Sequence, residues 1–137
     1  MAFHVSETMH AAFPDRFYVS DSMRALVAAG KTAIYTKDES GTLVIDPEVA
    51  ALFVRGDLPL TSEQVRDRAL DAMADEVRRM LDEGVVAEAQ DIDLCMLLGA
   101  GWPFWLGGIT PYLDRSGASE RVTGRRFLAP GVASLAS

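Results

Sequence analysis

The chain has 137 residues, 49% of them apolar, and a formal charge of −7 from 13 Lys+Arg against 20 Asp+Glu. That length builds one domain, or one and a half small ones, and leaves no room for a dinucleotide-binding domain with a substrate domain or for a (β/α)8 barrel. The acid excess argues against nucleic acid and anionic membrane surfaces as partners.

The excess is local: residues 57–93 carry net −7, between net −2 before them and net +2 after. A solvated acidic helix face accounts for it. The single cysteine, Cys95, excludes an internal disulfide and fits a reducing compartment. The first residues lack the basic and apolar regions of a signal peptide, and the longest wholly apolar run, 94–98, is too short for a bilayer. These features predict a cytoplasmic protein with no membrane span.

In chain order, apolar positions predict a short helix over 3–13, stopped by Pro14. Ser20 is placed to cap a second helix carrying Met23, Leu26 and Val27, with Gly30 at its C′ position. The β-branched and aromatic run 32–36 predicts one short extended piece, followed by a polar loop over 37–42. Asp46, Pro47 and Glu48 read as a helix start, with Val49, Leu52 and Phe53 as its apolar stripe and Gly56, Asp57 and Pro59 as its end.

The strongest helix is predicted over 62–83. Thr61 and Gln64 form a capping box, Val65, Ala69, Met73, Val77 and Met80 share one face with Leu70 and Leu81, and Gly84 is the C′ residue. Asp75 and Arg79 are spaced for an i,i+4 ion pair. A further helix over 88–98 has an acidic start and an end that is apolar all round, which predicts burial on several sides. Residues 99–103 break it. Thr110 and Pro111 open another short helix ending near Gly117, a last one is predicted over 119–127, and 129–137 reads as a loose tail. The expected fold class is all-α, with one long helix and several short ones.

Chemistry is thinly marked. Gly99-Ala100-Gly101 follows a helix rather than a strand and has Phe104 where a third glycine is needed, so it reads as a helix stop and not a nucleotide loop. His4 and His10 lie on different helix faces, which disfavours a metal pair; Glu7 between them leaves a small enzyme using His10 and Glu7 as a minor reading. Cys95 in an apolar helix reads as a buried, inert thiol. Asp91 and Asp93 do not face each other, so a divalent-metal pair is disfavoured and Asp91 is assigned to its own helix start. Trp102, Phe104 and Trp105 cluster between glycines. Corner packing between helices and an interface or ligand contact both fit them. No catalytic, cofactor-binding or metal-binding residue is assigned.

Glu76, Glu83-Gly84-Val85-Val86, Asp91-Ile92-Asp93, Gly99-Ala100-Gly101-Trp102-Pro103 and Gly107-Gly108 stand in a spacing that resembles the C-terminal helical domain of 3-hydroxyacyl-CoA dehydrogenases. More narrowly, it is similar to the last part of the multifunctional fatty-acid β-oxidation α-subunit. Glu7-Thr8-Met9-His10, 13–17, and Ala29-Gly30-Lys31 before Tyr35 resemble the end of the first of two such domains. The resemblance implies that residues 1–40 end a first helical domain, 41–60 connect, and 61–128 form a second.

The family has a hydratase domain and an NAD-binding domain upstream, and its catalytic His–Glu pair and Ser and Asn partners lie in parts that no residue here matches. The resemblance therefore implies a structural, domain-packing or dimerising portion of an NAD-dependent 3-hydroxyacyl-CoA dehydrogenase. Its partners would be the upstream NAD-binding and first helical domains, with acyl-CoA in the full protein and a homo-oligomer as a further option. NAD belongs to the parent enzyme and not to this chain. The alternative is a free-standing helical interaction or dimerisation module.

Overall fold

A computed structural model describes residues 2–53 and 59–132. Seven α-helices and one two-stranded antiparallel sheet occur among them, so the class is all-α. The chain divides into two compact units, Met1–Leu58 and Pro59–Ser137.

In the first unit, α1 spans Ala2–Ala12 and α2 spans Asp21–Ala28. Ser20 occupies the N-cap position of α2, but its side chain makes no capping bond, contrary to expectation. The C-terminal end follows the glycine rule: Gly30, at φ 69°, donates to the Val27 carbonyl, and Lys31 N–H donates to Leu26. The extended piece is displaced to Tyr35–Lys37 (β1) and pairs with an unexpected second strand, Leu43–Ile45 (β2), in the register Tyr35↔Ile45, Thr36↔Val44, Lys37↔Leu43. Between them Asp38 Oδ1 accepts from the backbone N–H groups of Ser40 and Thr42, both at 2.9 Å. The Ser40 hydroxyl first, and then these backbone bonds, hold its carboxyl below the ordinary range.

Helix α3, Pro47–Leu52, starts as its sequence dictates, with Asp46 accepting from Glu48 N–H at 2.9 Å and Val49 fully buried. Gly56 and Asp57, assigned to its end, lie outside the described residues.

The second unit is built on α4, Ser62–Asp82. Thr61 Oγ1 accepts from Gln64 N–H and Gln64 Oε1 accepts from Thr61 N–H, which closes the capping box. Around α4 lie α5 (Ala89–Gly99), a 3-10 turn at Phe104–Leu106, α6 (Ile109–Arg115) and α7 (Ala118–Thr123). Leu70, Ala74 and Val77 of α4, Ile92 of α5, Ile109 and Leu113 of α6 and Ala118 of α7 form one core.

Two expectations about these elements fail. Val65 and Ala69 are exposed, because the apolar core takes in α4 only from Leu70 onward. The last helix ends at Thr123, where Gly124 takes φ 73°. Among the described residues, no helix is long and apolar enough to cross a membrane.

On the exposed side of α4, Asp75 Oδ2 receives Arg79 Nε at 2.8 Å and Asp75 Oδ1 receives Arg78 Nη2 at 2.7 Å. Arg79 and then Arg78 hold the Asp75 carboxyl below its ordinary value. A depressed folded value means the stabilisation is present above the ordinary carboxylate range and fades as pH falls through the depressed value. Partial exposure keeps it below about 1 kcal/mol. Arg79→Ala is therefore expected to lower Tm by a few degrees at pH 7 and by less near pH 2, as read by thermal circular dichroism.

Candidate functional site

The segment singled out by its glycines and aromatics is a corner between α5 and α6, and its geometry starts with two aspartates. Asp91 and Asp93 diverge. Asp91 Oδ2 accepts from Glu88 N–H at 3.2 Å, at the start of its own helix. Asp93 points instead to the start of α6, where Oδ1 accepts from Thr110 N–H at 2.7 Å and Oδ2 from Thr110 Oγ1 at 2.6 Å. Asp93 thus supplies α6 with the carboxylate cap that Gly108, at its N-cap, lacks.

The two glycines of the Gly107-Gly108 turn serve different ends. Gly107 has φ 73°. Gly108 has an ordinary φ of −72°, but a Cβ there would stand 2.2 Å from Asp93 Cγ and 2.4 Å from Oδ1. The absence of a side chain is what lets the carboxylate reach the helix end.

Further on, Asp114 has a side chain with no solvent exposure. It accepts from Phe127 N–H at 2.9 Å and from Leu128 N–H at 3.1 Å. Arg126 Nε lies 3.7 Å away. This buried carboxylate anchors the strand of chain after α7 to α6. Sequence reading passed over it, since nothing local marks an acid that bonds amides more than ten residues on.

The three aromatics do not stay together. Trp102 turns inward, packs against the core and meets the Tyr112 ring edge-on at 5.5 Å between centroids. Phe104 and Trp105 stand 70% and 80% exposed on the 3-10 turn. On α5, Leu94 and Leu98 are 58% and 73% exposed, and Cys95 beside them is exposed, against the expectation of a buried thiol and a helix covered on several sides. The core takes only the Ile92 and Met96 side of α5, and no described element covers the other.

In the first unit, an open groove of about 550 Å³ is lined by Met23, Leu26, Lys31, Ile34 and Tyr35 among others. Lys31 Nζ reaches Asp46 at 3.1 Å and also Glu48, so its charge is already matched by two carboxylates. Glu48 and then Asp46 hold Lys31 above its ordinary value, and among the described residues lining the groove no other cation is present. His10 and Glu7 are not brought together: His10 Nδ1 donates to the Phe17 carbonyl at 2.5 Å, and Glu7 sits 3.5 Å from His4. Among the described residues, no three His, Cys, Asp or Glu side chains are grouped to hold a metal.

No family model matches the chain, and no solved structure matches it. Curated proteins do. The fatty acid oxidation complex subunit alpha of Acinetobacter baumannii is 30% identical to it over 135 aligned residues in strain SDF, and equally so in strains AYE and ACICU. In each case the match takes in 87% of this chain and 19% of the relative, so the chain spans about a fifth of the length of these relatives.

Proposed function

From its kinship with one stretch of the fatty acid oxidation complex alpha subunits, we propose that the chain is a non-catalytic helical portion of such a subunit. Its parent would be an NAD-dependent 3-hydroxyacyl-CoA dehydrogenase, oxidising the 3-hydroxyl of an acyl-CoA to a ketone as hydride passes to NAD. This chain would pack against the NAD-binding and first helical parts and help shape the acyl-CoA cleft between them. It would bind neither NAD nor a metal of its own.

The observation that carries the reading is the similarity itself, which runs through nearly the whole chain rather than one motif. The geometry agrees in kind. Three residues of the motif set serve the architecture: Asp91 the start of α5, Asp93 the start of α6, and Gly108 by making room for Asp93. No exposed carboxylate–histidine pair is left at this corner for proton transfer.

The test is enzymatic. The purified chain is expected not to oxidise NADH with acetoacetyl-CoA. Added to an A. baumannii alpha subunit lacking the matching stretch, it is expected to bind and to restore part of that turnover. Turnover by the chain alone would sink the reading, as would failure to bind a truncated subunit shown to be folded by circular dichroism.

A further inference from the structure

The hairpin of the first unit is a sheet of two strands, and among the described residues no third strand extends it. Asp38 N–H donates to the Thr42 carbonyl at 2.9 Å and Asp46 N–H to the Ile34 carbonyl at 3.0 Å. Bonded pairs alternate along an antiparallel ladder, so the bonded pair between these two is Thr36 with Val44. The N–H and C=O groups of Tyr35 and Lys37 therefore point away from β2, along the free edge of β1. On one face of the hairpin Tyr35, Leu43 and Ile45 are all exposed. A lone two-stranded hairpin is marginal in water, and a third strand is what such a sheet lacks.

The groove beside β1 has the shape for one. Its walls are Met23 and Leu26 of α2 and the consecutive run 31–35, with no residue of β2. A groove over a sheet face is lined by alternate residues of both strands. Consecutive residues from one strand's side alone mean that this groove meets the sheet at the edge of β1. Five extended residues span about 16 Å, room for a partner segment of similar length. Extended peptides add to a sheet in this way, with main-chain bonds to the edge and pockets for alternate side chains. A helix or an acyl chain would leave the outward amides of the edge unanswered.

Charge narrows the partner. Residues 31–48 hold Asp38, Glu39, Asp46 and Glu48 against Lys31 and Lys37, net −2. Asp46 and Glu48 meet Lys31 at one end of the run, and Asp38 and Glu39 follow β1 at the other. A segment basic at both ends is attracted there. An acidic segment, or this same edge on a second copy, is repelled.

We propose that the free edge of β1, with the groove between it and α2, takes an extended segment of a partner protein, apolar at alternate positions and carrying Lys or Arg on both flanks. The segment becomes the third strand. Its backbone bonds Tyr35 and Lys37, and its apolar side chains lie against Met23, Leu26 and the Tyr35 ring. The inference goes beyond the enzymatic reading and is tested on the chain alone, so either can fail without the other.

The probe is a fluorescein-labelled peptide, Lys-Val-Ser-Val-Ser-Val-Lys, titrated with the whole chain and read by anisotropy. Saturable binding with a Kd below ~1 mM is expected. N-methylation of two adjacent central amides, one of which must face β1, is expected to weaken it at least ~10-fold. Glu in place of both flanking lysines is expected to do the same. Lys37→Pro removes an outward N–H without breaking a bond to β2, and is expected to weaken binding at least ~10-fold with an unchanged circular dichroism spectrum. Leu43→Pro makes the same change on the outer edge of β2 and is expected to leave the Kd within ~2-fold. The N-methylated peptide is measured on the wild type, so the outcome does not hang on how the proline variants fold. Absence of saturable binding below ~1 mM overturns the proposal. So does an N-methylated peptide that binds as tightly as its parent, or a folded Leu43→Pro that loses as much as Lys37→Pro.

Discussion

Gly108→Ala is expected to destabilise the Pro59–Ser137 unit by about 3 kcal/mol, although alanine is a better helix former than glycine and the backbone there is ordinary. The cause is collision. The new Cβ would stand 2.2 Å from Asp93 Cγ, so the carboxylate must leave and both of its bonds to Thr110 go with it. Thr110 is fully buried, so its N–H and hydroxyl find no water in exchange. The variant's thermal midpoint should fall by more than ~10 °C. A cycle isolates the mechanism. Asp93 Cβ also lies only 2.7 Å from the new methyl, so Asp93→Ala relieves the clash in part and Asp93→Gly relieves it fully. On the Asp93→Gly background, Gly108→Ala is expected to cost less than about 0.5 kcal/mol. Equal costs on both backgrounds would show that the close approach is not what the glycine is for.

Asp114→Ala is expected to be at least as severe. Its side chain is wholly shielded and is the acceptor for two backbone amides, Phe127 and Leu128, of which Leu128 is itself buried. Bonds to a charged acceptor contribute about 1.5–3 kcal/mol each, and the Leu128 amide left behind is a buried donor without a partner. A loss of about 4 kcal/mol is expected, concentrated in the segment after α7. Hydrogen exchange should locate it: Phe127 and Leu128 amides lose protection first, while amides in the middle of α4 keep most of theirs. Asp114→Asn keeps one acceptor oxygen and is expected to cost about half as much. Uniform loss of protection along α4 in Asp114→Ala would refute the local anchoring role.

The elements that could be read from sequence are those closed by short-range chemistry. Thr61 and Gln64 bond each other's backbone three residues apart, Asp46 caps α3 two residues on, and Gly84 takes φ 67° just past the end of α4. The Leu43–Ile45 strand was missed because three residues carry no periodicity and its reason for existing is its partner, β1. Val65 was assigned to the buried stripe because period alone says which side of a helix is apolar, not how far along it a neighbour reaches. The same limit misplaced Cys95 and Leu98: an all-round apolar helix implies a cover, and the cover is not among the described parts of this chain.

By itself the sequence determined the start of α3, both ends of α4, the all-α class and the similarity to one stretch of the fatty acid oxidation complex alpha subunits, because caps, glycine stops and spaced motifs act within a few residues or by order along the chain. Only the tertiary structure decided which acid serves which helix. Asp93 meets Thr110 across 17 residues and Asp114 meets Phe127 across 13. It also decided that Trp102 turns inward while Phe104 and Trp105 stay outside. Those outcomes depend on how the helices pack. Packing brings distant groups within 3 Å of each other, and no local propensity encodes that distance.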